Sequence, residues 1–326
     1  MPANDSALPM IIDGLVISRW SRGVFEAMHR GGLTVANCTC SVWEGPYETM
    51  LNIAGWKRWF DEHGDLIMPV KTTADIAAAR ASGRVGIVLG WQNTSAIADR
   101  IDLLAVYKEL GVGVVQLTYN TQNLVGSGCW ESNDSGLSGF GREVVAEMNR
   151  VGILVDLSHV GARTAADAIA FSAKPCAYTH ICPAGLYSHP RNKSDEQLRA
   201  MVERGGFVGV ATYPPFLPRQ AETTVDDCLD AFDYVLNLCG EASVGIGTDF
   251  TQDQDAGFFD WLRRDKGYAR RVIQGGGTAP LPIGLETLAD YPNLLRAMER
   301  RGWRTGRIEA VAGGNWLRFL GDVWGA

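Results

Sequence analysis

Short apolar runs recur along the chain, and several contain Val, Ile, Leu and Gly almost without interruption. Near-continuous runs of this kind are typical of parallel strands that are covered on both faces. Longer segments with polar positions separate the runs. We therefore predict eight strands: "MIIDGLVI", "LTVANC", "VGIVLG", "GVVQLT", "GILVDLS", "PCAYTH", "GGFVGVA" and "SVGIGTDF".

The segments between the runs carry apolar residues three and four positions apart, which is the period of an amphipathic helix. Several end at a glycine, a common residue just beyond the end of a helix. Eight strands alternating with helices predict an α/β fold, a (β/α)₈ barrel. Neither a linker nor a repeat of fixed period divides the chain, so we expect residues 1–326 to form a single barrel domain. The clearest helical segments are "DRIDLLAVYKELG", "FGREVVAEMNRVG", "SDEQLRAMVERGG" and "TVDDCLDAFDYVLNLCG".

The overall charge narrows the range of partners. The 326 residues carry a net charge of −7 and contain no long basic run, which argues against a nucleic-acid partner. No apolar run approaches the roughly 18 residues of a membrane-spanning helix, so we expect no membrane partner. The first residues, "MPANDSALPMIIDG", lack the basic region and the long apolar stretch of a signal peptide. These features together predict a cytoplasmic protein.

The seven cysteines are an odd number in a long chain, which favours reduced thiols over a disulfide framework. "CTC" at Cys38 and Cys40 has no second pair at zinc-finger spacing. We therefore interpret the cysteines as small buried thiols.

Polar side chains stand where three of the predicted strands end. In "RVGILVDLSHVGA", Asp156 lies inside the apolar run and His159 follows it; His180 ends the sixth predicted strand and Asp249 the eighth. The carboxyl ends of the strands of such a barrel meet at one face, where the chemistry of these folds is found. Two neutral imidazoles can hold a divalent transition metal, and a carboxylate nearby can act as general base. A single histidine would more often make only a local hydrogen bond, but three such endings favour a shared site.

Five further segments resemble one known family. These are "GREVVAEMNRVGILVDLSHV", "THICPAGLYSHPRNKSDEQLRAMVERGGFVGV", "VGIGTDF", "GLETLADYPNLLRAMERRG" and "GGNWLRFL". In this order they closely resemble the membrane (renal) dipeptidase family, zinc hydrolases related to the amidohydrolase barrels. The similarity runs through most of the chain and is strongest from Gly141 onward.

The resemblance implies roles for four residues. His159 and His180 match the two histidine metal ligands that follow the fifth and sixth strands of the family's barrel. Arg191, in "SHPRNKSDEQL", matches an arginine that contacts the substrate carboxylate, and a planar guanidinium suits such two-point contact. Asp249 matches the aspartate that closes the eighth strand. The turn that contains Arg191 also has a structural purpose, because Ser194 and Gln197 just after it have the spacing of a helix capping box.

Four other family positions are not kept. Leu15 and Ile17 stand where the family has a His-x-Asp metal pair, and neither can bind a metal. Gln92 replaces the glutamate that bridges two metals, and Tyr119 replaces a substrate-binding histidine. The resemblance therefore implies the loss of one metal site and leaves at most a single, weakly held zinc at His159, His180 and Gln92, or none, because a neutral amide balances no metal charge.

Three functions remain open. The first is a diverged dipeptidase-like amidohydrolase with at most one metal, Asp249 as general base, and Arg191 and Tyr119 as substrate contacts. Its substrate would be a small carboxylate-bearing molecule such as a dipeptide or an N-substituted amino acid. The second is a catalytically inactive barrel that acts as a small-molecule binding or accessory protein. The third is a metal-free enzyme with Asp249 and His159 as acid and base.

Two loops at the functional end are long and rich in aromatic residues. They are "TYPPFLP" after the seventh predicted strand and the segment from Phe250 to Pro280 after the eighth. Phe258, Phe259 and Trp261 could close over a substrate and exclude water. They could equally pack onto the barrel or onto the second subunit of a homodimer.

Overall fold

The computed structural model describes residues 8–325, in which nine parallel strands form one sheet. Each strand of the barrel is almost entirely buried, as the apolar runs predict. The strands are β1 (Ile11–Val16), β2 (Leu33–Ser41), β3 (Ile67–Pro69), β4 (Val85–Trp91), β5 (Val112–Gln116), β6 (Leu154–Asp156), β7 (Ala177–Ile181), β8 (Phe207–Val210) and β9 (Val244–Ile246).

Eight of these strands close into a barrel. The sheet runs in the order β2-β1-β9-β8-β7-β6-β5-β4, and β2 pairs in turn with β4 to complete the ring. The ninth strand, β3, pairs only with the first residues of β4 and lies outside the ring. The predicted (β/α)₈ barrel is therefore confirmed, and the eight predicted strands are those of the ring. β3 was not predicted, because it runs from a buried Ile67 to an exposed Pro69 and forms no continuous buried run.

Helices surround the barrel, and local sequence signals explain where many of them begin and end. α3, α7 and α8 begin with capping boxes, including the predicted pair Ser194 and Gln197. α3, α4 and α5 end at glycines with left-handed backbone conformation. The helices are α1 (Arg22–Arg30), α2 (Pro46–Glu62), α3 (Thr73–Ser82), α4 (Leu103–Leu110), α5 (Gly139–Val151), α6 (Ala162–Phe171), α7 (Asp195–Glu203), α8 (Val225–Cys239), α9 (Ala256–Leu262), α10 (Tyr291–Arg300), α11 (Thr305–Glu309) and α12 (Asn315–Trp324).

The last helix fills the barrel from the amino ends of the strands. Trp316 of α12 is buried and donates a hydrogen bond from Nε1 to the carbonyl of Ile246, at 2.8 Å. A Cβ atom on Gly14 or Gly245 would come within 2.6 or 2.7 Å of its indole ring, so the ring needs glycine at both positions. With this end packed by hydrocarbon, the carboxyl ends of the strands are left for a binding site.

All seven cysteines are free thiols in the structure. Within residues 8–325, no helix combines the length and the apolar character needed to cross a membrane.

Candidate active site

A cavity of about 410 Å³ lies at the carboxyl ends of the barrel strands. Its walls come from the strand ends and from the loops that follow β5, β7, β8 and β9. His180 is fully buried directly behind His159, so all six predicted site residues come together at this face. A neighbouring cavity of about 430 Å³, next to α2, contains none of the six. The predicted residues that line the first cavity are Gln92, Tyr119, His159, Arg191 and Asp249.

The two histidines face each other. Nε2 of His159 lies 3.1 Å from Nε2 of His180. On the opposite side of each ring, Nδ1 is held by a polar neighbour: Asn120 Oδ1 at 2.7 Å for His159, and Thr179 Oγ1 at 2.7 Å for His180. Both rings are therefore fixed in orientation, with their Nε2 atoms pointing at one common position.

Asp156, the carboxylate inside the apolar run, organises the ends of β6 and β7. Its Oδ1 accepts hydrogen bonds from the backbone N–H and the hydroxyl of Ser158, at 2.9 and 2.6 Å, and from the N–H of Thr179 at 3.1 Å. Its Oδ2 accepts the hydroxyl of Thr179 at 2.7 Å. Burial raises the pKa of Asp156, and these hydrogen bonds oppose that rise. The side chain thus positions the loop before His159 and the residue next to His180.

The same arrangement occurs on the other side of the barrel. Asp13 in β1 accepts hydrogen bonds at Oδ1 from the N–H groups of Leu15 and Thr248, both at 2.9 Å. Its Oδ2 accepts the hydroxyls of Thr248 and Tyr291. Two buried aspartates therefore each tie a strand end to a threonine of a neighbouring strand.

With the Asn120 amide oriented as in this structure, the hydrogen-bond partners place both imidazole protons on Nδ1. The Thr179 hydroxyl donates its hydrogen to Asp156, so its oxygen accepts from the Nδ1–H of His180. Asn120 Oδ1 can only accept, so His159 also carries its proton on Nδ1 in this amide orientation. Neutral rings of this form direct two Nε2 lone pairs at each other, which is repulsive unless a positive charge lies between them.

A proton is poorly suited to that position. Burial lowers the pKa of both His159 and His180 well below the ordinary value, and the positive charge of Arg191 lowers both further. A metal ion is better suited, because imidazole nitrogens bind zinc as neutral ligands at about 2.0–2.1 Å, which sets them about 3.3 Å apart in a tetrahedral site. The donor set therefore fits a metal held by two histidines. Among residues 8–325, no group of three or more His, Cys, Asp or Glu side chains is arranged to hold one.

Hydrocarbon fills the position where the family's first metal pair would stand. Leu15 and Ile17 are 2% and 5% exposed and form a buried cluster with Val42 and Tyr119 at the mouth of the barrel. The prediction that Leu15 and Ile17 are apolar side chains near the mouth is confirmed. The cluster offers no ligand atom at this position.

Tyr119 connects this apolar cluster to the histidines. Its ring stacks on His159, with centroids 4.3 Å apart and planes at 26°, and Trp43 contacts it edge-on. Its hydroxyl makes no hydrogen bond within residues 8–325, and burial raises its pKa. A protonated hydroxyl therefore faces the cavity and can donate to a ligand.

Gln92 lies at the end of β4 with its amide oriented by a neighbour. Nε2 donates to Thr39 Oγ1 at 3.0 Å, while Oε1 accepts no hydrogen bond from the described residues. Gln92 also lines the cavity. Its carbonyl oxygen is therefore available as a neutral ligand.

Arg191 is buried, with 1% of its surface exposed, and most of its guanidinium donors are bonded to backbone carbonyls of the barrel. The terminal nitrogens donate to the backbone carbonyls of Ser158 at 2.5 Å and His180 at 2.7 Å. The group lies over the ring of Phe216, 5.5 Å from its centroid, and Nε makes no hydrogen bond to any residue from 8 to 325. The two terminal nitrogens, which could otherwise bind a carboxylate, therefore join the ends of β6 and β7 instead.

Asp249 follows β9 in a left-handed backbone conformation, with φ of 61°. Its N–H donates to the carbonyl of Leu15 at 3.1 Å, while its carboxylate accepts no hydrogen bond within the described part of the chain. Burial raises the pKa of Asp249 to about 6, an effect that the positive charge of Arg191 opposes. This carboxyl group changes its protonation near neutral pH and is free to accept a proton.

Sequence reasoning missed three residues at this site. Asn120 and Thr179 orient the two histidines and stand next to predicted site residues in the chain, which was the available signal. Asn120 also has a positive φ of 60°, a conformation that asparagine tolerates better than most residues. Arg263 lines the cavity from the loop after α9 and has no comparable signal in the sequence.

Similar proteins agree with this architecture. A crystal structure of an amidohydrolase from Pseudomonas aeruginosa is 51% identical in sequence, with a TM-score of 0.95 over 98% of this chain and 97% of that one. The structure of the dipeptidase AC is 21% identical, with a TM-score of 0.82 over 98% of this chain and 100% of that chain, and it supports the fold alone.

Curated relatives carry dipeptidase names. The dipeptidase aclJ of Aspergillus oryzae is 31% identical over 272 residues, 82% of this chain and 58% of that protein. An uncharacterized dipeptidase of Schizosaccharomyces pombe is 32% identical over 256 residues, 76% of this chain and 55% of that protein. The match thus spans little more than half the length of these relatives. The model of the membrane dipeptidase family (peptidase family M19) matches residues 47–265. This chain therefore belongs to the membrane dipeptidase family.

Proposed function

We propose that this protein hydrolyses an amide bond of a small carboxylate-bearing substrate, a dipeptide or an N-substituted amino acid, with at most one metal ion. One observation carries the proposal: the Nε2 atoms of His159 and His180 face each other at 3.1 Å with both Nδ1 atoms fixed. With both protons on Nδ1, the two buried lone pairs point at one position, which suits a cation between them.

In this proposal a single zinc ion would be held by His159, His180 and the amide oxygen of Gln92. When bound, zinc supplies a positive charge that polarises an amide carbonyl and makes a water molecule more acidic. Because Gln92 is neutral, it adds less to metal affinity than a carboxylate would. We therefore propose that the metal is weakly held.

Asp249 is the general base of the proposal. Its carboxylate has no protein hydrogen-bond partner within residues 8–325, and its pKa of about 6 places it in the ionised form at pH 7. It takes a proton from the attacking water and can return it to the nitrogen of the leaving amine.

Arg191 and Tyr119 bind and orient the substrate. The buried guanidinium of Arg191 gives one side of the cavity a positive charge, which attracts the substrate carboxylate. The Tyr119 hydroxyl, held beside His159 by ring stacking, donates to an oxygen of the substrate.

A second candidate function is a catalytically inactive barrel that binds a small molecule. The apolar cluster of Leu15, Ile17, Val42 and Tyr119 favours it, because this cluster stands where the family has metal ligands. A third is a metal-free enzyme in which Asp249 and His159 serve as acid and base.

Metal analysis combined with an activity assay separates the three. Wild type, His159→Ala, His180→Ala and the surface control His29→Ala are dialysed against zinc and then against buffer. We expect close to one zinc per chain in wild type and control, loss in the two site variants, and hydrolysis only where zinc is retained. Near-zero zinc in all four proteins contradicts the metallohydrolase.

The remaining outcomes identify the alternatives. If the protein holds no zinc but still hydrolyses a substrate, and if Asp249→Asn and His159→Ala each abolish that hydrolysis, the result supports the metal-free enzyme. Without zinc or turnover, binding of a carboxylate ligand supports the inactive binding protein. The substrate panel should contain dipeptides and N-acyl and N-methyl amino acids.

We also propose a cytoplasmic location, supported by the seven free thiols, which are typical of reducing compartments. A homodimer is the assembly we propose, and sedimentation of the purified protein would test it.

A further inference from the structure

The cavity contains an excess of positive charge. Of the described residues that line it, Arg191 and Arg263 are cations and Asp249 is a carboxylate. The cavity therefore favours an anionic ligand, although the whole chain has a net charge of −7.

Arg263 differs from the other arginines of its segment. Arg264 and Arg271 pair with Asp260, and Arg270 pairs with Glu131. Arg263 has no carboxylate within 4.0 Å in the described chain. Its NH1 donates to the carbonyl of Gly277 at 2.8 Å, which leaves NH2 and Nε for a ligand. Among the arginines of this segment, the one without a carboxylate partner in the described residues is thus the one that faces the cavity.

Two aromatic faces in the cavity are already covered by these cations. The guanidinium of Arg191 lies 5.5 Å from the ring centroid of Phe216, and that of Arg263 lies 5.6 Å from that of Phe259. An aromatic face binds one cation at a time, so neither ring offers this face to a substrate ammonium group. An ammonium group in the cavity would also be repelled by both guanidinium groups.

We propose that Arg263 binds the carboxylate of the substrate, and that the cavity selects N-acyl amino acids over dipeptides with a free amino group. This inference rests on the proposed amide hydrolysis. An N-acyl amino acid carries the carboxylate that Arg263 can pair with and lacks the ammonium group that the cavity disfavours. Its acyl group meets aromatic walls formed by Trp130, Tyr187 and Tyr213.

The reaction is balanced without any further reactant. The oxygen of one water molecule bonds to the acyl carbon, and the carbon–nitrogen bond breaks. The nitrogen gains a proton from the water and leaves as the amine of the free amino acid. The acyl group leaves as a carboxylate, and its remaining proton passes to the amine or to solvent.

Three ligands of matched shape test the inference by calorimetric binding, which requires no turnover. N-acetylphenylalanine is the reference, glycylphenylalanine adds an ammonium group, and N-acetylphenylalaninamide removes the carboxylate. We expect wild type to bind the reference at least about tenfold more tightly than either analogue, a difference of about 1.4 kcal/mol.

Variants of Arg263 and of its neighbour Arg270 test which arginine binds the ligand carboxylate. Arg263→Gln should weaken binding of N-acetylphenylalanine about tenfold and leave binding of its amide unchanged, and Arg263→Lys should recover part of the loss. Arg270→Gln, which removes an exposed arginine paired with Glu131, should bind all three ligands as wild type does. Retained binding of the amide shows that the Arg263 variants are folded.

Equal or tighter binding of glycylphenylalanine to wild type overturns the selectivity, and unchanged binding of N-acetylphenylalanine to Arg263→Gln overturns the role of Arg263. These outcomes are distinct from failure of the proposed function. Selective binding without hydrolysis contradicts the amide hydrolase alone, whereas hydrolysis with a preference for free dipeptides contradicts this inference alone.

Discussion

At the scale of single residues, the site depends on side chains whose surroundings change their chemistry. Asp249 is an ordinary carboxyl group in the sequence, but burial raises its pKa to about 6. Arg191 is an ordinary arginine, but two backbone carbonyls occupy its terminal nitrogens. Both effects arise from neighbours far away in the chain.

The pKa of Asp249 predicts how activity depends on pH. A general base works only when ionised, so kcat/KM should rise with pH through about 6 and level off above it. Asp249→Asn should abolish activity, while Asp253→Asn, an exposed neighbour, should keep the wild-type profile. An acidic limb that persists unchanged in Asp249→Asn would show that another group is the base.

Replacing Arg191 by Lys should reduce stability as well as ligand affinity. One ammonium group cannot bridge the carbonyls of Ser158 and His180 as the planar guanidinium does, and a buried carbonyl left unpaired costs about 1–3 kcal/mol. Urea unfolding should show this loss for Arg191→Lys and almost none for the exposed control Arg199→Lys. Equal stability of the two variants would contradict the bridging role.

At the scale of elements, two buried aspartates tie strand ends together. Asp156 links β6 to Thr179 in β7, and Asp13 links β1 to Thr248 after β9. The Thr179 hydroxyl also holds the ring of His180, whereas Thr248 holds no imidazole. The two threonines therefore form a natural pair for separating stability from metal binding.

Thr179→Val should weaken zinc binding about 10- to 100-fold, because the Nδ1–H of His180 loses its acceptor. Both Thr179→Val and Thr248→Val should lose about 1–3 kcal/mol of stability, since each leaves a buried carboxylate with one donor fewer. Zinc titration and urea unfolding measure the two effects. Equal zinc affinity in the two variants would contradict the orienting role of Thr179.

At the scale of the whole molecule, a buried lysine links stability to pH. Lys193 is 2% exposed, and its Nζ donates to the carbonyl of Val160 at 2.8 Å and lies over the ring of Tyr178. Burial lowers its pKa to about 7. A lysine in the unfolded chain titrates near ~10.4. Between these values the unfolded state binds more protons at this residue, so stability rises with pH.

The test compares free energies of unfolding at pH 7 and pH 9. The free energy of unfolding of wild type minus that of Lys193→Met should rise by on the order of 2 kcal/mol between pH 7 and pH 9. The exposed control Lys57→Met should follow wild type at both pH values. A constant difference between wild type and Lys193→Met would mean that Lys193 titrates normally in the folded protein.

The sequence by itself determined the barrel and identified six residues of its candidate site, but not Asn120, Thr179 or Arg263. Strand and helix patterns are local, because they follow from the backbone and from which side of each element is buried. The carboxyl ends of parallel strands must then meet, which brought His159, His180 and Asp249 to one face. β3 was missed because only Ile67 of its three residues is buried and it ends in an exposed proline, so it lacks the buried run that marks the strands of the ring.

Only the tertiary structure decided what these residues contact. The guanidinium of Arg191 binds the carbonyl of Ser158, 33 residues away, and His159 takes its acceptor from Asn120, 39 residues away. Arg263 reaches the cavity through a loop whose path no local pattern describes. Hydrogen-bond partners, burial and the resulting pKa values depend on distances between segments remote in the chain, so they were fixed by how the barrel and its loops pack.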